Sequence, residues 1–224
     1  MLQQTETPGA ATVFIVDHDD KTRLSLVNLF HLADVVSQSF RSGAELLGSA
    51  DLDVPGCLLV DIQPGESSGF DLQERLADRA CLLPIVFTTG EATVPIAVEA
   101  MKRGASDFLP KPLDDAAVLD AVFGAIRQNL VARARAAERE AVWRSIGTLT
   151  PREREVMKYV AIGDLNKQIA HRLEVSEMMV KIHRSRMMKK MGAGSLVQLI
   201  KKLELAYGRA RCSDAPTATE TRAP

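Results

Sequence analysis

Hydrophobic positions in the first half of the chain fall in short, nearly unbroken runs. They are Val13–Val16 (VFIV), Cys57–Val60 (CLLV), Pro84–Thr88 (PIVFT) and Asp107–Pro110 (DFLP), with a weaker run near Val35–Phe40. Segments of helical period lie between them, at Lys21–Leu32, Gly43–Gly48, Gly69–Asp78 and Val94–Arg103. Strands that are apolar on both faces and separated by helices predict a parallel sheet covered on both sides. Five such βα repeats over residues 12–125 predict an α/β doubly wound domain. In that architecture ligands sit at the carboxyl ends of the strands.

The pattern then changes to a helix starting near Asp114 and Asp115 and running to about Arg144, with Gly124 as its one weak point. Residues 126–145 are rich in Ala and charge, which predicts a long helical linker rather than a flexible tether. Residues 146–208 predict a small all-α domain. Thr150, Pro151 and Glu153 form a capping box with Pro at N1. The helices that follow are expected at Pro151–Ile162, Asn166–Leu173, Ser176–Met191 and Ser195–Leu205, with Ser176 as an N-cap and Gly192 as a C-cap. Asn166–Leu173 and Ser176–Met191, joined by a tight turn, have the form of a helix-turn-helix. Residues 1–11 and the Thr-, Ala- and Pro-containing tail 209–224 are expected to be disordered.

Charge separates the two halves. The net charge of the 224 residues is -1. Residues 1–125 carry -11 and residues 126–224 carry +10. An acidic half joined to a basic half fits a regulatory domain attached to a nucleic-acid binder. The second helix of the helix-turn-helix carries Lys181, Arg184, Arg186, Lys189, Lys190 and His183 against the single acid Glu177. A basic helix presented in this way suits the DNA major groove. Cys57, Cys81 and Cys212 have no metal-type spacing and fit a reducing compartment. The N-terminus lacks the features of a signal peptide, and no apolar run reaches the roughly 18 residues of a membrane span. A soluble, cytoplasmic protein without membrane partners is the expectation.

Three chemically pointed residues stand at strand ends. Asp17 follows VFIV, Asp61 follows CLLV, and Lys111 follows DFLP. Two carboxylates and an ammonium on one rim can hold a divalent cation and neutralise a phosphoryl group, with Asp61 as a carboxylate nucleophile. Taken singly, each is an ordinary turn or cap residue. All three in register favour a site.

These motifs resemble two-component response regulators of the FixJ/NarL class, in which a flavodoxin-like receiver domain precedes a LuxR-type DNA-binding domain. The resemblance spans about residues 12–207. It rests on VDHDD (Val16–Asp20), VDIQPGESSG (Val60–Gly69), LPIVFTTG (Leu83–Gly90), VPIAVEAMKRGASDFLPKPL (Val94–Leu113) and the stretch Leu149–Met191. It implies that Asp61 is the phosphoacceptor and that Asp17 belongs to the acidic pocket. Mg²⁺ would be held by Asp17, Asp61 and the backbone carbonyl of Gln63. Thr89 would be the hydroxyl that contacts the phosphoryl group, Phe108 the aromatic switch and Lys111 the pocket lysine, before a cis Lys111–Pro112 bond. The segment with Val94, Ile96, Val98, Met101 and Lys102 would be the dimerisation face. In the second domain Ile169, Ala170, Leu173, Val175 and Val180 would pack the helix-turn-helix. Lys181, Ile182 and Ser185 would face base edges. Lys167, Arg184, Lys189 and Lys190 would meet phosphates. The implied partners are double-stranded DNA, a histidine kinase, RNA polymerase and a second copy on activation. No substrate turnover beyond self-phosphorylation is implied.

Three departures stand out. His18 occupies the position where the family usually has a second acid on the metal, and imidazole is a poorer Mg²⁺ ligand than carboxylate. Asp19 is the alternative acid. Pro64-Gly65 replaces the usual Met-Pro, and Met179 replaces a usual Thr. A receiver working independently of phosphorylation is therefore the alternative reading. Asp17-His18-Asp19 also fits the DxD pair of haloacid-dehalogenase phosphatases superficially, but the second acidic cluster and cap are missing. A small-molecule-sensing LuxR activator would need an aromatic-lined pocket, whereas aromatics are 4% of the chain and Trp143 lies outside the first domain.

Overall fold

The computed structural model describes residues 11–62 and 68–208. Gln63, Pro64, Gly65 and most of both expected disordered segments lie outside the described residues. The chain divides into two compact units between Ala134 and Arg135. Among the described residues no helix is long and apolar enough to cross a membrane.

The first unit is a parallel sheet of β1 (Thr12–Val16), β2 (Val36–Phe40), β3 (Gly56–Asp61), β4 (Ile85–Thr89) and β5 (Asp107–Pro110), in the order β2-β1-β3-β4-β5. The connecting helices are α1 (Asp20–Leu32), α2 (Gly43–Ser49), α3 (Ser68–Asp78) and α4 (Val94–Lys102), and α5 (Asp115–Gly147) follows β5. Alternate side chains of a strand point to opposite faces. On one face Val13, Ile15, Cys57, Leu59 and Val86 pack with Phe30 of α1 and Val118, Val122 and Ile126 of α5. On the other, Phe14, Leu58, Val60 and Phe87 pack with Leu46, Leu72, Leu76 and Ala100. Each large side chain buried here contributes about 1.5–3 kcal/mol. β2 is an edge strand whose Val36, Gln38 and Ser39 are exposed and whose Phe40 is buried, which explains its fainter hydrophobic signal.

The strand order turns back at β1, which pairs with both β2 and β3 in parallel register (Val16 opposite Phe40 and Val60). A crevice at the carboxyl ends is the consequence of such a reversal. Asp17 directly follows β1 and Asp61 ends β3.

α5 is a 33-residue helix. Its first part also holds the base of the sheet through polar contacts. Fully buried Asn129 accepts a 3.0 Å hydrogen bond from the Gly56 N–H and donates one of 2.6 Å to the Leu82 carbonyl. Arg133 donates to the Val54 carbonyl at 2.9 Å and pairs with Asp53 at 3.0 Å.

The second unit contains α6 (Pro151–Ala161), α7 (Asn166–Leu173), α8 (Glu177–Lys190) and α9 (Leu196–Tyr207). Val142, Ile146, Val156, Val160, Ile169, Val180, Met187, Met191 and Leu199 form its core. The Thr150–Glu153 capping box is present, and Ser176 caps α8 by accepting from the Met179 N–H. The end of α8 corrects the expected cap. Met191 is the C-cap, and Gly192 stands one residue beyond with φ 55°, the left-handed position where glycine carries no Cβ penalty.

Replacing Asn129 by Ala orphans the buried Gly56 N–H and removes the partner of the part-buried Leu82 carbonyl. We expect the first unit to lose about 1–4 kcal/mol, roughly 1–3 kcal/mol for the orphaned N–H and less for the carbonyl, which water partly reaches. Urea unfolding followed by far-UV circular dichroism checks this, and an unchanged midpoint would contradict it.

Candidate acidic pocket and nucleic-acid interface

The ends of β1, β3 and β5 bring Asp17, Asp61 and Lys111 together. Both carboxylates are nearly buried, with side chains 2% and 5% exposed. Lys111 Nζ donates to Asp17 Oδ2 at 2.7 Å and lies 2.8 Å from Asp61 Oδ1. Burial alone would lower the Lys111 pKa, but its contacts with Asp17 and Asp61 outweigh that and hold it above the ordinary lysine value. The lysine is set by its backbone, whose N–H donates to the Thr89 carbonyl at 2.7 Å, and the Lys111–Pro112 bond is cis. Asp17 is fixed from behind. Its Oδ1 accepts from the Asp19 N–H at 2.8 Å, and its carbonyl accepts from Arg23 Nη1 at 2.7 Å.

The exposed ring of His18 completes the cluster, with Nδ1 3.1 Å from Asp61 Oδ2 and 3.6 Å from Asp17 Oδ1. Asp17, His18 and Asp61 each offer a ligand atom, all within 4.8 Å of one another. Two of these donors are hard oxygens suited to Mg²⁺. The third is an imidazole nitrogen, which Mg²⁺ does not favour. The expected substitute, Asp19, is engaged elsewhere. It is the N-cap of α1, accepting from the Lys21 and Thr22 N–H groups and from the Thr22 hydroxyl. The Thr22 hydroxyl and then the Thr22 N–H hold its carboxyl below the ordinary aspartate pKa. Capping two of the N–H groups that a helix start leaves without partners commits this side chain away from the pocket.

Around the pocket, Thr89 is buried and its hydroxyl accepts from the Glu91 N–H at 3.2 Å. Phe108 is half-buried against the core cluster that holds Phe87. On α4, Val94, Val98, Met101 and Lys102 are exposed and Ile96 is half-buried.

In the second unit, α8 buries Val180 and Met187 and turns a basic face to solvent. Lys181, Ile182, Ser185 and Lys189 are exposed, as is Lys167 on α7. Lys181 lies 3.4 Å from Glu177 one turn earlier. Ile169, Ala170 and Val180 are buried, while Leu173 and Val175 pack partly buried beside them. Met187 and Met191 are core residues, but Met178 and Met179 are 65% and 43% exposed.

Two cations expected to meet phosphate are engaged within the protein. Arg184 donates to Asn166 Oδ1 at 3.0 Å, joining α8 to the start of α7. Lys190 Nζ donates to Glu153 Oε2 at 2.7 Å and to the Thr148 carbonyl at 3.0 Å. Glu153 is the residue whose wider role sequence reasoning missed. Its capping box was legible, but nothing local shows that the same buried carboxylate anchors α8 from 37 residues away. The hydrogen bond from Lys190, then that from the Thr150 N–H, holds its carboxyl below the ordinary glutamate value.

Comparison with known proteins matches both halves. The response regulator receiver domain family covers residues 13–123, and the luxR family of bacterial regulatory proteins covers residues 147–203. Nodulation protein W of Bradyrhizobium diazoefficiens is 44% identical over 202 residues, covering 89% of this chain and 88% of that protein. The transcriptional regulatory protein FixJ of Azorhizobium caulinodans is 36% identical over 211 residues, covering 93% and 98%. Among solved structures, the response regulator StyR superposes with a TM-score of 0.76 at 35% identity, covering 87% of this chain and 98% of that one.

Two outcomes follow from Glu153. Lys190→Met should cost the second unit about 2 kcal/mol, below the roughly 3–5 kcal/mol of a fully buried pair, because the Lys190 side chain is 35% exposed. Trp143, the single tryptophan of the chain, stacks edge-on against Tyr207 and reports this unfolding by fluorescence. The folded pKa of Glu153 lies below its unfolded value near 4.5, so its contribution is present above pH 4.5 and is lost as pH falls through the folded value. Glu153→Gln should flatten that acid limb of the Trp143 stability profile, and an unaltered limb would contradict the assignment.

Proposed function

The chain belongs to the two-component response regulators that join a receiver domain to a LuxR-type DNA-binding domain, and from that membership we propose a transcription regulator switched by phosphorylation of Asp61. The observation that carries the proposal is the convergence of Asp17 and Asp61 within 2.8 Å of the Lys111 ammonium. The donor is a phosphohistidine on a partner histidine kinase. An Asp61 oxygen attacks phosphorus, the P–N bond breaks as the P–O bond forms, and the imidazole leaves with the electron pair. Oδ2 is the attacking atom, because Oδ1 faces Lys111, and the His18 ring moves off it as the phosphoryl arrives. Lys111 neutralises the added charge. Mg²⁺, the ion the resemblance implies, meets an imidazole in its third position, so no step runs through it.

The phosphoryl group draws the Thr89 hydroxyl toward it, Phe108 turns into the space vacated, and the exposed Val94, Val98 and Met101 of α4 pair with those of a second copy. Two α8 helices then enter major grooves about 34 Å apart, one helical turn of duplex. Lys181, Ile182 and Ser185 face the bases, while Lys167 and Lys189 meet phosphates. DNA-bound dimers act on RNA polymerase in the cytoplasm. His18 on Asp61 Oδ2 favours one second reading, a receiver that works without phosphorylation.

Intact mass spectrometry with a small-molecule phosphodonor, paired with sedimentation, decides between them. We expect wild type to gain one phosphoryl and dimerise, and Asp61→Asn to do neither. A wild type that stays unmodified, or an Asp61→Asn variant that dimerises equally, favours the second reading. Lys181→Ala should weaken binding to a duplex selected from a random library by about 10-fold or more, as expected for loss of a base contact of about 1–3 kcal/mol. Equal affinity in a mobility shift would remove Lys181 from the interface.

A further inference from the structure

Each buried carboxylate of the pocket divides its two oxygens between different partners. Asp17 Oδ2 and Asp61 Oδ1 lie 2.7 and 2.8 Å from Lys111 Nζ. Their other oxygens, Asp17 Oδ1 and Asp61 Oδ2, lie 3.6 and 3.1 Å from His18 Nδ1. Ligand atoms that share a cation at bond lengths of about 2.1 Å stand about 3.0–3.4 Å apart. The imidazole nitrogen therefore stands near ligand spacing from each of these oxygens, and the ligand atoms of the three residues lie within 4.8 Å of one another. The Asp19 N–H holds Asp17 Oδ1 in place, and the Asp19 carboxylate is committed to the cap of α1. The third donor of this cluster is nitrogen.

We propose that Asp17, His18 and Asp61 form a site that selects a first-row transition cation such as Mn²⁺, Co²⁺, Ni²⁺ or Zn²⁺ over Mg²⁺. Carboxylate oxygens serve either class of ion. Imidazole binds the transition cations well, whereas Mg²⁺ favours an all-oxygen octahedron and gives up its water reluctantly. The cation would bind at Nδ1 in place of the present contact between His18 and Asp61. Lys111 keeps its own pair of oxygens, so ammonium and cation neutralise the two carboxylates without competing for the same atoms. Protein with its His18 ring merely hydrogen-bonded to Asp61, and indifferent to the metal, is the competing description.

The test uses the full chain without any phosphodonor, so its failure leaves the phosphorylation reading standing. Calorimetric titrations with Ni²⁺ and, separately, Mg²⁺ compare wild type with His18→Ala and His18→Asp. Co²⁺ absorption in the visible reports nitrogen ligation independently. Loss of a group that only orients a ligand already weakens metal binding about 10- to 100-fold. His18→Ala should therefore weaken Ni²⁺ binding at least about 10-fold and leave Mg²⁺ affinity little changed. His18→Asp should tighten Mg²⁺ binding and narrow the ratio of Ni²⁺ to Mg²⁺ affinity. The remaining histidines His31, His171 and His183 are common to all three proteins, so the difference isolates His18. Ni²⁺ affinity equal in wild type and His18→Ala, or Mg²⁺ affinity equal in wild type and His18→Asp, overturns the proposal.

Discussion

The receiver pocket depends on one ammonium placed between two buried carboxylates. Removing Asp17 and Asp61 from water costs several kcal/mol for each ion, and the repulsion between the two like charges adds to that cost. Lys111 offsets both terms, and its raised pKa is the other side of the same interaction. The lysine comes from 94 residues away, so the pocket forms only when the whole sheet is in register. The parallel pairing that places Thr89 opposite Pro110 delivers Lys111 to its partners.

The second unit repeats this device with different scenery. Glu153 is buried, caps its own helix and accepts from Lys190, so a single carboxylate orders the start of α6 and the end of α8. Arg184 and Asn166 tie α8 to α7 in the same manner. These contacts leave the exposed side chains of α8 mounted on a helix held at several points, which lowers the ordering entropy left for DNA binding. The basic face is consequently narrower than the number of cations in α8 implies, because part of that charge holds the fold.

Much of this was legible from pattern alone. Strands β1, β3 and β4 announced themselves because both faces are buried, and strand ends pointed to Asp17, Asp61 and Lys111. β2 was faint because most of its side chains are exposed and, of its five residues, Phe40 alone is buried. Other features were illegible because long-range contacts decide them. Sequence spacing could not tell whether Asp19 turns to the metal or to the cap of α1. Nor could it reveal that Lys190 reaches Glu153, or that Asn129 of α5 bridges Gly56 and Leu82. A polar side chain carries no local sign of its partner, whereas an apolar one carries its burial in its periodicity.

Fluorescence anisotropy of a library-selected DNA duplex, titrated with the full chain with and without phosphodonor, tests the union of the two units most directly. Modification of wild type should raise affinity at fixed salt, while Asp61→Asn should give one unchanged curve under both conditions. Identical wild-type curves, measured on protein whose phosphorylation has been verified by mass, would contradict the view that the carboxylate pocket governs the basic helix.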